Sequence, residues 1–287
     1  MKLIKPLIVS LILFSNSLHA KDYPSVPNEI NPLHVSPAFC YQDATKIGHS
    51  IVLLDITSPL DRAQKDFIRD QFFSKESFIK NTKPFERISF LLIDNNNPQS
   101  QKFVFSMCRP NSGDNAGKEK VSMRQSPLFL KKYFNDFIIL ANASYDKIFS
   151  KNINSDSSLI YETIVSVFRN PTYDFGSDYS TRRLFIVSDL MQHSERLSFY
   201  KLCNAKSDLA KCPLFAKIKE NPNNKEYIES TSPDVSKTKN VEVVLIYLNH
   251  RYETNKQIDE SLLQLWMDYF KSQGLSNVKI IRQVDLK

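Results

Sequence analysis

The chain has 287 residues, 41% of them hydrophobic and 24% charged, with a formal charge of +7. That balance excludes a disordered or fibrous protein and suits one large α/β domain. Only 5 glycines argue against a glycine-rich phosphate loop, and no Lys/Arg run with interleaved aromatics marks a nucleic-acid surface.

The first segment is not expected to join a core. Lys2 and Lys5 precede the short apolar run Leu7 to Phe14, and a polar stretch then ends Leu18-His19-Ala20. This is the layout of a secretory signal, and the run is shorter than the roughly 20 residues that span a bilayer. Residues 1–20 are therefore predicted to be removed on export to the periplasm or beyond, leaving no transmembrane span. Loss of Lys2 and Lys5 lowers the formal charge from +7 to +5.

Residues 21–48 contain Pro and Asn without periodicity and form an N-terminal arm; residues 49–287 form the domain. Ser50 to Asp55 holds the run Ile51-Val52-Leu53-Leu54 and ends in a carboxylate, as expected of a buried parallel strand. Pro59 to Lys80 has helical spacing, with Leu60, Ala63, Phe67, Ile68 and Phe72 three or four apart. Arg87 to Ile93 and Lys102 to Cys108 are strands, and Asn95-Asn96-Asn97-Pro98 between them is a hairpin-type turn. Helical patterns follow at Leu128 to Phe149 and Ser158 to Phe168.

Leu184 to Ser188 is another apolar strand that runs into an acid, Asp189. Residues 201–240, with Asn221-Pro222 and Ser232-Pro233, form a loop-rich insertion and a second candidate contact surface. Val241 to Leu248 is a strand, Gln257 to Gln273 an amphipathic helix stopped by Gly274, and Val278 to Val284 the last strand. Strands alternating with helices predict a doubly wound, mostly parallel six-stranded sheet with one antiparallel edge strand and helices on both faces.

Four cysteines in an exported chain suggest disulfides, and three full pairings are possible. An antiparallel third strand would carry Cys108 to the edge of the sheet that Cys40 precedes. Cys203 and Cys212 are near neighbours in a polar segment. These positions favour Cys40–Cys108 and Cys203–Cys212. No CxxC is present, so a thioredoxin-like site is not supported.

Ligands of open α/β sheets bind beyond the C-terminal strand ends. Two carboxylates stand there, Asp55 in Leu54-Asp55-Ile56-Thr57-Ser58 and Asp189 in Val187-Ser188-Asp189-Leu190. Ser155-Asp156-Ser157-Ser158 brings hydroxyls to the start of a helix. Two acids with hydroxyls suit a hard divalent cation, which takes about six oxygens. Each group also has an ordinary structural reading, since Asp55, Ser158 and Asp189 are all good helix caps. His193, four residues after Asp189, is either a transition-metal ligand or a plain helix-start residue.

With these elements the chain resembles a von Willebrand factor A-type domain, in element order over nearly all of residues 49–285. The resemblance implies a strand order of 3-2-1-4-5-6, with Asp55 and Asp189 on adjacent strands. It further implies a metal-ion-dependent adhesion site with the motif Asp-x-Ser/Thr-x-Ser, a later Thr and a later Asp. Asp55 and Thr57 match the first two positions, Ser158 falls where the Thr is expected, and Asp189 matches the last. Pro59 replaces the final serine, so the site is degenerate. The implied cofactor is Mg²⁺ or Mn²⁺, and the implied function is non-catalytic capture of a protein partner through its carboxylate. Two alternatives stand beside it. One is a metal-free scaffold that binds partners through loops. The other, a phosphohydrolase using Asp55, resembles the haloacid-dehalogenase type, but Thr57 stands where that family has its second Asp.

Overall fold

A computed structural model of the protein describes residues 47–94, 97–113, 127–150, 155–176, 178–202, 218, 220–248 and 256–283. The first strand, β1 (His49–Asp55), is buried along its whole length. Its side chains alternate between faces as strand geometry requires. Ile51 and Leu53 enter one apolar cluster, and Val52 and Leu54 enter the other. Burial of four aliphatic side chains on both faces, each worth roughly 1.5–3 kcal/mol, fixes this strand in the middle of the sheet.

The strands β2 (Arg87–Ile93), β3 (Phe105–Cys108), β4 (Arg182–Ser188), β5 (Val241–Tyr247) and β6 (Val278–Arg282) complete one sheet in the order β3-β2-β1-β4-β5-β6. Every pairing is parallel except β2 with β3, so the hairpin and the antiparallel edge strand are as expected. The segment joining them, 94–104, is longer than a tight turn. Its Pro98 carbonyl accepts from Tyr173 Oη at 2.5 Å and Ser166 Oγ at 3.1 Å, which ties it to the helical layer.

Two helices lie where the sequence predicts one. The helix α1 (Arg62–Phe72) opens with a capping box between Asp61 and Gln64. It stops at Phe73, and Ser74 caps α2 (Lys75–Asn81) by accepting from the Ser77 amide at 3.1 Å. The apolar spacing runs through this break; the capping hydroxyl interrupts it. Both helices pack, with α3 (Pro127–Phe149), on the face holding Val52 and Leu54. The opposite face is covered by α4 (Ile160–Arg169) and, after the short α5 (Phe199–Leu202), by three more helices. These are α6 (Pro222–Thr231), α7 (Val235–Thr238) and α8 (Lys256–Ser272), of which α6 and α8 reach the cluster of Ile51 and Leu53.

The insertion at 201–240 therefore corrects an expectation. Asn221-Pro222 is a helix start, with the Asn221 side chain accepting from the amides of Asn223 and Asn224 and Pro222 at the first helical position. Tyr227 and Ile228 of α6 pack against the core, so this part of the insertion is a β4–β5 crossover rather than a free loop. Cys108 closes β3 opposite Arg87 and is disulfide-bonded. Cys40, Cys203 and Cys212 lie outside the described residues, as do residues 1–20. His49 is buried at the start of β1, held by Ser89 Oγ at 2.9 Å and the Asp174 carbonyl at 3.0 Å, at the end of the sheet away from Asp55.

Replacing Asp61→Ala removes the side-chain half of the capping box, in which Asp61 Oδ1 accepts from the Gln64 amide, and keeps the backbone donation from residue 61 to Gln64 Oε1. A loss of about 1 kcal/mol is expected, read in a thermal melt as a fall of about 2–4 °C.

Candidate functional site

The alternation that sends Ile51 and Leu53 to the α4 face sends Asp55 there too, at the C-terminal end of β1. The register Leu54↔Val187 sets Asp55 beside Ser188 at the end of β4. The Asp55 carboxylate is 6% exposed and engaged on both oxygens. Oδ1 accepts from the Thr57 amide at 3.1 Å and from Thr57 Oγ1 at 2.6 Å. Oδ2 accepts from Ser158 Oγ at 3.1 Å and Ser188 Oγ at 2.6 Å. Asp55 and its near neighbour Thr57 thus form one hydrogen-bonded cluster with the distant Ser158.

Asp189 follows Ser188 directly and is half-buried; its Oδ1 accepts from the Met191 amide at 3.0 Å. It acts on Asp55 through charge. Burial and, after it, the charge of Asp189 raise the Asp55 carboxyl against the opposing bonds from Ser188 and Thr57, from 3.8 to about 6 in all. The two carboxylates repel one another, and the groups bonded to Asp55 are neutral donors.

The cap readings of these residues do not hold. α1 is capped by Asp61, not Asp55. α4 begins after Leu159, which gives no side-chain cap, so the Ser158 hydroxyl is free to serve Asp55. The missing cap is supplied from across the rim: buried Gln192 accepts from the Tyr161 amide at 2.7 Å through Oε1, and its Nε2 donates to Glu162 at 2.9 Å. Asp189 accepts from the Met191 amide within its own turn.

His193 is neither an exposed helix-start residue nor aimed at the cluster as a ligand. Its backbone exchanges two hydrogen bonds with Ser158, at 2.8 and 2.9 Å, and its Nδ1 is 2.7 Å from Ser198 Oγ. This bridge, with Gln192, clamps the turn after β4 onto the entry to α4. Between Asp189 and Gln192 the backbone passes through Leu190 at φ 63°, a costly conformation for a bulky residue. Leu190 is held there by Ser188 Oγ on its amide at 2.8 Å and by the Trp266 indole N–H on its carbonyl at 3.1 Å.

Ser188 and Gln192 are functional neighbours that the sequence reading did not single out. Ser188 was detectable only through register, because its importance comes from standing opposite Asp55. Gln192 had no local signal at all. Of the other hydroxyls and acids considered, Ser58 and Asp156 are exposed. Pro59, also exposed, supplies no side-chain oxygen.

Among the described residues, no group of three or more His, Cys, Asp and Glu side chains is assembled for a metal ion. The rim instead offers two carboxylates and three hydroxyls. Thr57 and Ser158 give their protons to Asp55, which leaves their oxygen lone pairs available. That all-oxygen set fits a hard cation such as Mg²⁺ or Mn²⁺ and no soft metal.

The raised Asp55 has a measurable consequence in EDTA. The unfolded chain releases this proton near 3.8 and the folded chain holds it to about 6, so the folded state binds more protons between them. Stability from this group is full below about pH 4 and falls as pH rises through about 6, by on the order of 2–3 kcal/mol. Asp55→Asn is expected to remove that fall. Urea midpoints from pH 4 to 7 test it, and parallel pH profiles for the two proteins would contradict it.

No protein-family model matches the sequence, and no curated protein does. Among solved structures, the chain is similar to a von Willebrand factor type A from Catenulispora acidiphila, with a TM-score of 0.32 and 11% identity. The match covers 81% of this chain and 43% of that one, so the chain spans less than half of that protein's length. The sheet order β3-β2-β1-β4-β5-β6, with acids at the neighbouring ends of β1 and β4, is the order the sequence predicts for this α/β domain.

Proposed function

We propose that this protein is an exported, non-catalytic protein-binding module. Its rim of Asp55, Thr57, Ser158 and Asp189 would hold Mg²⁺ or Mn²⁺, and the ion would take a carboxylate oxygen from a protein partner. The observation that carries this reading is the buried Asp55, hydrogen-bonded by three hydroxyls and pushed up to about 6 by burial and by Asp189. A divalent cation would relieve that repulsion, and the hydroxyl oxygens would serve as neutral ligands. Pro59 removes one hydroxyl that the resemblance implies, and Ser188 adds one beside Asp55.

Export rests on the signal-like residues 1–20, and the pairings Cys40–Cys108 and Cys203–Cys212 belong to the same proposal. Among the described residues, no helix is long and apolar enough to cross a membrane. Phosphohydrolase chemistry is disfavoured because both Asp55 oxygens are occupied and Thr57 holds the position of the second acid. A second reading, the metal-free scaffold, draws on the same occupancy, since four hydrogen bonds already satisfy the carboxylate.

Melting of residues 21–287 in EDTA and then in Mg²⁺ or Mn²⁺ separates the two readings. A cation at 100 times its Kd adds about 2.7 kcal/mol, or roughly 5–10 °C in a domain of this size. That shift is expected in the native chain and not in Asp55→Ala/Asp189→Ala. A native chain that melts at the same temperature in EDTA and in cation would favour the scaffold.

A further inference from the structure

Away from the rim, on the α1/α2 face of the sheet, lies a groove of about 220 Å³. Val52, Phe185, Val244, Ile246 and Ile281 form its floor, and Phe72 of α1 stands at its wall. Phe72, Phe185 and Ile281 are only partly buried, although they pack on the core of that face. Among the described residues, the only helices lining the groove are α1 and α2. Charged side chains at its margin are already paired, Lys279 with Glu242 at 2.5 Å and Arg183 with Glu86, which leaves an apolar trough between neutralised edges.

We propose that the groove is the seat of this chain's own N-terminal arm, residues 21–46. The arm meets the domain at the groove's end. The Ile47 carbonyl accepts from Ser180 Oγ and, at 3.2 Å, from Thr181 Oγ1, and the Gly48 carbonyl accepts from the Arg87 amide at 2.8 Å. Ser50, three residues past Ile47, already lines the groove and pairs with Arg183, another lining residue. From there the trough crosses β1, β4, β5 and β6, about 14 Å at the usual strand spacing. An extended chain covers that in about five residues, far fewer than the arm supplies.

The arm's composition matches the task. It carries Tyr23, Val26, Ile30, Leu33, Val35 and Phe39 among Pro24, Pro27, Pro32 and Pro37. Prolines at that spacing disfavour a helix or a central strand, so an apolar surface on the domain would suit these side chains. Proline-restricted extended chain also loses less entropy on docking than a flexible one. With Cys40 bonded to Cys108 on β3, residues 21–39 would cross from β3 to β6, about 24 Å at the usual strand spacing, which about seven extended residues span. The inference does not depend on a cation at the rim.

Two experiments on residues 21–287 test it. A benzophenone side chain replacing Leu33 is irradiated, and the cross-linked peptides are mapped. Attachment within the same chain to β5, β6 or the Phe72 turn of α1 is expected; attachment elsewhere, to a second copy, or nowhere overturns the proposal. In the second, Ile30→Ser/Leu33→Ser/Val35→Ser is expected to melt lower by about 3 °C or more. Amide exchange in β5 and β6 should quicken about ten-fold. Unchanged melting with unchanged exchange overturns it as well.

Discussion

A carboxylate cannot be taken out of water unless its charge is hydrogen-bonded, countered or neutralised, and the region around the C-terminal edge of the sheet is arranged about that requirement for Asp55. The position is imposed by β1, whose four aliphatic residues on two faces force the next side chain to the end of the most buried strand. Three different stretches of chain then answer it. The turn after β1 supplies Thr57, the entry to α4 supplies Ser158, and the end of β4 supplies Ser188. None of them brings positive charge, so the hydrogen bonds restrain the carboxyl without returning it to its ordinary value.

Because Leu159 rather than Ser158 stands at its N-cap, α4 begins without a side-chain cap of its own, and that deficit explains the next layer of structure. Gln192 reaches across to the Tyr161 amide, and His193 pairs its backbone with Ser158. The turn after β4 is thereby pinned against α4 with Asp189 on it. The buried polar groups of this turn form a connected set, in which removal of one member leaves another without a partner.

Much of this architecture was legible from residue patterns. Bounded apolar runs such as Ile51 to Leu54 and Leu184 to Val187 identify parallel strands, and acids just beyond them mark the C-terminal edge of the sheet. Pairing is where local reading failed. Ser188 looks like any strand-end serine until the register sets it against Asp55, and Ser158 looks like a helix cap until α4 is seen to start two residues later. The α1/α2 break was hidden because Phe72 and Ile79 keep helical spacing while Ser74 redirects the backbone. Asn221-Pro222 has the same letters in a loop and at a helix start, and only the packing of Tyr227 and Ile228 decides between them.

The left-handed backbone at Leu190 is kept in place partly by the indole of Trp266, on the helix that follows β5. Trp266 is the single tryptophan of the chain and is almost fully buried. Its N–H is bonded one residue from Asp189, so the protein carries a built-in optical probe of its own rim. Any event that repositions that turn changes the polarity and hydrogen bonding sensed by one chromophore, and its emission records the event without a label.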